Sequence, residues 1–229
     1  MFAPIVKSDK KQLSFWLLCA FILLLKIFQG DQSFFIQKWG SQFEQGPLLD
    51  WYKWLYHHLA TLVLYALIPI IYIKLILKEQ LSQYGWQLGD WKYGFKILVI
   101  AGALAIVPVY LSSKNPGHRA FYPLTTLANE SPKLFILWGL SYLPHYIGLE
   151  FFLRGFMGFE LKKHHGILVA IMVTAIVATL LHIGKPQGEA WGALFGAILF
   201  SLMAFRTNSI FWPTCFHFYL GMLNTYFCR

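Results

Sequence analysis

The sequence predicts an all-α, polytopic membrane bundle of about seven spanning helices with one interfacial segment. Three observations predict it. The 229 residues are 57% hydrophobic and only 13% charged, against about 25% charged in an ordinary soluble domain. Several apolar runs approach the roughly 20 residues that a helix needs to cross the hydrocarbon. Lysines, arginines and aromatic side chains gather near the ends of those runs, as they do at membrane interfaces.

Spanning helices are expected at about 13–29, 54–77, 95–112, 133–157, 165–183, 189–206 and 209–227. Lys7, Lys10 and Lys11 precede the first run as in a signal peptide. That run passes Leu25 with no small-residue cleavage site, so it reads as a retained helix. A polar loop, 30–51, follows. The stretch 78–96, rich in aromatics and lysines, suits a segment lying on the headgroups. Residues 112–133 carry the Pro, Gly and Asn of a connector. No repeat, low-complexity tract or soluble domain interrupts 1–229, which reads as a single membrane domain.

The formal net charge is +9. These bases are scattered among helix ends, and no clustered basic patch points to nucleic acid. Counting bases loop by loop favours a cytoplasmic N-terminus. The expected setting is an integral protein of the plasma membrane, the inner membrane of a bacterium, with the lipid bilayer as its first partner. Cys19, Cys215 and Cys228 have neither metal-ligand spacing nor an evident pairing, and read as small apolar membrane residues.

Four places break the apolar pattern in the second half. Glu150 and Arg154 lie four apart and share a helix face. His182 stands at the end of the fifth expected helix, Glu189 in the first turn of the sixth, and His217 inside the seventh. An ionised side chain at mid-membrane costs roughly 2.5–3.5 kcal/mol on insertion scales, so such groups face the bundle interior and pair. Each has a plain alternative. Glu150 and Arg154 would serve as a structural ion pair, and either histidine as a hydrogen-bonded core residue. Glu189, after Pro186, would favour a helix N-terminus, and Lys185 would snorkel. His57, His58, His145, His164 and His165 read as structural or interfacial. The succession of Glu, Arg, His, Glu and His on consecutive helices favours a shared polar cavity.

Two histidines and a carboxylate are enough to activate water in a dry pocket, with imidazole or carboxylate as general base. The same set, His182, His217 and Glu150, would also suit a divalent metal such as zinc. The helical H-E-x-x-H signature is absent, so that shell would come from separate helices. Either version hydrolyses a bond, most simply a peptide bond in a membrane or peptide substrate.

"LEFFLRGF", "LLHIGKPQGE" and "CFHFYLGMLN" together resemble the three blocks of the CAAX prenyl protease and bacteriocin-processing (CPBP, or Abi) family. The family's pattern is E-E-x-x-x-R, then F-x-x-x-H, then H-x-x-x-N or D. The resemblance covers residues 133–229. It implies an intramembrane endopeptidase in which Glu and His activate water and the last block helps to stabilise the oxyanion. The glutamic version requires no cofactor. On this sequence it implies Glu150, His182 and His217 as catalytic residues, with Arg154 orienting Glu150.

Three positions depart from the pattern: Leu149 stands at the first Glu, Ala178 at the Phe, and Gly221 at the Asn or Asp. Glu189 is a candidate replacement carboxylate by its spacing from His182. Asn224, nearly two turns after His217, is a candidate for oxyanion support. The departures at 149 and 221 also sustain an alternative, a catalytically degenerate relative acting as a membrane scaffold, immunity factor or partner-binding protein.

Overall fold

The computed structural model describes residues 7–229, with side chains from residue 10 onward; the side chain of Lys7, counted above for topology, lies outside the described residues. The described residues are mostly helical, with no strand among them. Helix α1 is Lys7–Phe28 and a short α2 is Gln32–Trp39. Helix α3 runs as Pro47–Leu77, α4 as Trp91–Ser112 and α5 as Pro116–Phe121. One continuous helical stretch, Pro132–Leu180, is broken at Gly166, whose φ of 83° is non-helical. The break divides it into α6 (132–165) and α7 (167–180). Helices α8, Gln187–Thr207, and α9, Phe211–Cys228, complete the chain.

Among the described residues, five helical stretches are long and apolar enough to cross a membrane. The fourth of them, divided at Gly166, holds two of the expected spans. Helix α9 is not among the five, because it carries Pro213, His217 and Asn224 along with its apolar residues. Large apolar side chains such as Leu104, Leu168 and Phe195 are 72%, 70% and 67% exposed. In water that would be a liability; against acyl chains it is the favoured arrangement.

Local chemistry sets the element ends. Asp31 caps α2 by accepting from Ser33 N, and Asp90 caps α4 by accepting from Tyr93 N. Ser131 accepts from Leu134 N, with Pro132 at the first helical position of α6. In α3, Pro69 cannot donate to the i−4 carbonyl, and its ring crowds that carbonyl. The helix widens to π geometry over Val63–Leu67 just before it. The two expected loops hold short helices instead of open coil. Asn115 caps α5, and in α2 Phe35 and Trp39 pack on Tyr56 at ring separations of 5.5 and 5.6 Å. The expected interfacial segment is also tied inward, since Tyr84 is fully buried and its hydroxyl donates to Glu79 and Glu160.

The main core joins Phe15 and Ile22 of α1, Tyr65 of α3, the Phe151–Phe159 stretch of α6, and alanines of α7 and α8. Ala170, Ala175 and Ala178 of α7 face Ala197 and Ala204 of α8 within that core. Small residues let the two backbones approach, and Thr174 and Ser201 hydroxyls bond across them at 3.1 Å. Helix α9 packs on α4 and α8 through Trp212, Phe216, Ala101 and Phe200.

Candidate active site

The first polar group is built at the end of the regular α-helix in α6. Glu150 is 0% exposed and Arg154 is 1% exposed. All nine residues of the following π segment, Phe151–Phe159, are buried. Such segments recur at functional sites because they shift side chains off the regular helical register. Arg154 Nη1 donates to Glu150 Oε1 at 3.2 Å, and Nη2 donates to the Ala197 carbonyl of α8 at 3.3 Å. The guanidinium also lies over the Phe200 ring, 5.2 Å from its centre. From α9, His217 brings Nδ1 to 2.6 Å from the same Glu150 Oε1. With Glu150 ionised beside Arg154, Nδ1 is the donor, and Nε2 is left with its lone pair. The ring is held between Tyr146 and Phe200, each 4.8 Å away between centroids.

The second group lies beyond the end of α7. His182 was expected within a span at 165–183, but α7 ends at Leu180 and His182 stands in the turn after it. Its Nδ1 donates back to the Ala178 carbonyl at 2.7 Å, so Nε2 is again the free nitrogen. That nitrogen is 3.7 Å from Glu189 Oε1. Burial, and then the nearby Lys185 ammonium, lower the pKa of His182 to about 4, and His217 adds a smaller push in the same direction. The imidazole is therefore neutral at pH 7.

Glu189 is held from two sides. Lys185 Nζ donates to its Oε1 at 2.8 Å, and the Tyr122 hydroxyl donates to the same atom at 2.9 Å. Burial opposes the charge on Lys185, but the Glu189 carboxylate and the Tyr142 phenol outweigh it and raise its pKa. Lys185 is thus not a lone snorkelling lysine; it fixes a carboxylate. Burial and the same carboxylate push the Tyr122 phenol well above its ordinary range, which keeps it a donor. One oxygen of each carboxylate, Glu150 Oε2 and Glu189 Oε2, is buried without a hydrogen-bond partner among the described residues.

Residues 131–223 match the family described as type II CAAX prenyl endopeptidase, Rce1-like. That region is similar to the CPBP/CAAX protease family. No curated protein and no solved structure matches the chain. The long apolar helices make the chain an integral membrane protein, and the family that residues 131–223 resemble is one of membrane proteases.

The departures from the CAAX-protease pattern now have surroundings. Leu149 belongs to the main apolar core, so position 149 carries no polar group into the site. Ala178 is also in that core, and its carbonyl is what fixes the His182 tautomer. Asn224 does not turn toward His217. Its Oδ1 takes the His118 Nε2 proton at 2.7 Å, tying α9 to α5. The space over Gly221 is filled by Tyr146, as described below.

The residues named for a metal do not come together as a shell. Glu150 Oε1 is taken up by Arg154 and His217 Nδ1, while His182 lies with Glu189 in the other group. Among the described residues, no set of three His, Cys, Asp or Glu side chains is gathered in ligand geometry.

Tyr122, Tyr146 and Lys185 enter the site without having stood out in the sequence. Tyrosines are amphipathic and common near interfaces, and this chain has 12 of them, so type alone could not single two out. Lys185 did carry a signal, its i,i+4 spacing to Glu189. The other polar groups of the chain lie elsewhere. His58 Nδ1 bonds the Ser141 carbonyl, and His145 Nδ1 contacts the Thr61 hydroxyl at 3.2 Å. A surface cleft lined by Glu79, Tyr84, Glu160 and Lys163 shares no residue with either pair.

Proposed function

We propose that the protein is an intramembrane endopeptidase that hydrolyses peptide bonds in membrane-associated or peptide substrates, with His217 as general base and Glu150 as its orienting partner. The observation that carries this reading is the 2.6 Å bond from His217 Nδ1 to a carboxylate oxygen that is itself paired with Arg154. A carboxylate on Nδ1 fixes the tautomer and steadies the imidazolium that forms when Nε2 takes a proton. In the reaction, Nε2 of His217 removes a proton from water and the hydroxide adds to the scissile carbonyl carbon. The carbonyl oxygen takes up negative charge. When the intermediate collapses, the C–N bond breaks and His217 returns its proton to the leaving amine.

His182 and Glu189 form the second polar wall. His182 is neutral and offers Nε2 as an acceptor, while Glu189 is kept ionised by Lys185 and Tyr122. Together they hold the water or the substrate N–H opposite His217. No step requires a metal from the donors as they are arranged. The family description suggests a prenylated peptide as the first substrate to try.

Purified protein in lipid nanodiscs, given an internally quenched farnesylated CAAX peptide and its unprenylated counterpart, tests the reading. His217→Ala is expected to lower kcat by about 10²–10⁴, the usual contribution of a general base, with the thermal midpoint within a few degrees of wild type. Wild-type turnover in that variant would remove His217 from the chemistry. A second reading, a membrane scaffold or partner-binding protein, draws on Leu149 and Gly221; it predicts no cleavage of either peptide.

A further inference from the structure

We infer that Tyr146 supplies, from α6, the polar group that the third sequence block lacks at Gly221, donating its phenolic O–H to the carbonyl oxygen that gains charge beside His217. This rests on the endopeptidase reading above. Gly221 lies one turn after His217 on α9, so a side chain there would share the face that meets the site. A Cβ built at Gly221 would sit 1.8 Å from the Tyr146 hydroxyl oxygen and 2.7 Å from its Cζ. Those distances are far inside van der Waals contact. Position 221 has no side chain because the tip of Tyr146 occupies its place.

The ring arrives there from the correct side. Tyr146 is one turn before Glu150 on α6, so the two project from a common face. Its ring packs against His217 at 4.8 Å between centroids and against Tyr142 at 4.6 Å. It is 3% exposed, which leaves little rotameric freedom. The hydroxyl therefore stands over Gly221, one turn along α9 from the base.

Most other donors near the base are committed, the buried Nε of Arg154 being left without a partner among the described residues. Arg154 bonds Glu150 and the Ala197 carbonyl. Lys185 and Tyr122 both bond Glu189, and Asn224 serves His118. Tyr146 keeps its proton throughout the cycle. Its O–H strengthens a bond to the oxyanion as the hydroxide adds, and relaxes when the C–N bond breaks and His217 protonates the amine. Proton transfer remains with His217 alone. A preorganised donor at a developing oxyanion contributes about 10²–10³ in kcat.

The test is cleavage of the quenched farnesylated peptide by nanodisc-embedded protein, following kcat, KM and the thermal midpoint separately. Tyr146→Phe keeps the ring and removes only the hydroxyl. We expect kcat to fall about 100-fold, with KM and the midpoint close to wild type. The exchange variant Tyr146→Ala with Gly221→Asn opens the space and returns a polar group from α9. It should turn over faster than Tyr146→Ala alone. The inference is overturned if Tyr146→Phe keeps wild-type kcat, or if its loss comes entirely through KM or a lowered midpoint. Failure of the wild-type protein to cleave either peptide would instead sink the endopeptidase reading.

Discussion

Two carboxylates, Glu150 and Glu189, are treated in opposite ways by the same bundle. Glu150 is 0% exposed, sits inside α6 and is matched by an arginine on its own helix. Glu189 is 19% exposed at its side chain, stands in the first turn of α8 and is held by a lysine one turn away and a tyrosine from a connector. Each has one histidine, at 2.6 Å for Glu150 and 3.7 Å for Glu189. The first distance is a hydrogen bond and the second is not. The difference separates their roles. On the proposed reading Glu150 orients His217, whereas Glu189 is held in place by Lys185 and Tyr122.

The largest effect should come from unpairing the buried group. Glu150→Ala leaves Arg154 charged, 1% exposed and without its carboxylate. Removing one partner of a buried pair typically costs about 3–5 kcal/mol. Loss of folded, detergent-stable protein or a collapse of the thermal midpoint is expected. A midpoint near wild type would show that the pair is not what holds Arg154 in the bundle.

A smaller effect is expected at the other carboxylate. Glu189→Gln keeps the shape and hydrogen-bonding capacity but drops the charge that Lys185 faces. Because that pair is partly solvated, its loss should cost no more than about 1 kcal/mol of stability. Turnover of the quenched peptide should fall by roughly 10-fold, short of the loss at a general base. A decline as deep as that of His217→Ala would reverse the ranking of the two carboxylates.

These contrasts were only half visible in the sequence. Charge in an apolar run is a strong signal, and it marked Glu150, Arg154, His182, Glu189 and His217. Helical spacing put Glu150 and Arg154 on one face. The helices were legible for the same reason, although α6 runs on to residue 165 and α9 is not among the stretches apolar enough to span. What spacing could not convey was which helix each side chain would meet. Asn224 sits well placed for His217 on a helical wheel, yet α5 approaches with His118 and takes it. Tyr146 carries no charge, and its importance depends on α6 and α9 packing closely enough for its hydroxyl to lie over Gly221. Tyr122 lies in a connector whose path no periodicity describes.

Acidification offers a finer probe of the second pair. The pKa of His182 is lowered by burial and Lys185 from 6.5 to about 4. A group buried as its neutral form binds fewer protons folded than unfolded within that window. Its contribution to stability is therefore complete above pH 6.5 and is lost as pH falls toward 4. The thermal midpoint should drop over that interval, and His182→Asn should flatten the drop. An unchanged slope in the variant would assign the acid sensitivity to another group.

The smallest effect is expected at Asn224. Substitution by Ala breaks its bond to His118, worth about 0.5–1.5 kcal/mol, and should leave peptide turnover intact. A loss of kcat there without a fall in midpoint would return Asn224 to the site.

The central claim is that Glu150 works through His217 and not independently of it. A double-mutant cycle on kcat, using Glu150→Gln, His217→Asn and their combination in nanodiscs, addresses it directly. Groups that act as a unit are strongly non-additive. The account predicts that the double variant is no slower than His217→Asn alone. If instead the two losses multiply, Glu150 and His217 act separately and the orienting role assigned to Glu150 is contradicted.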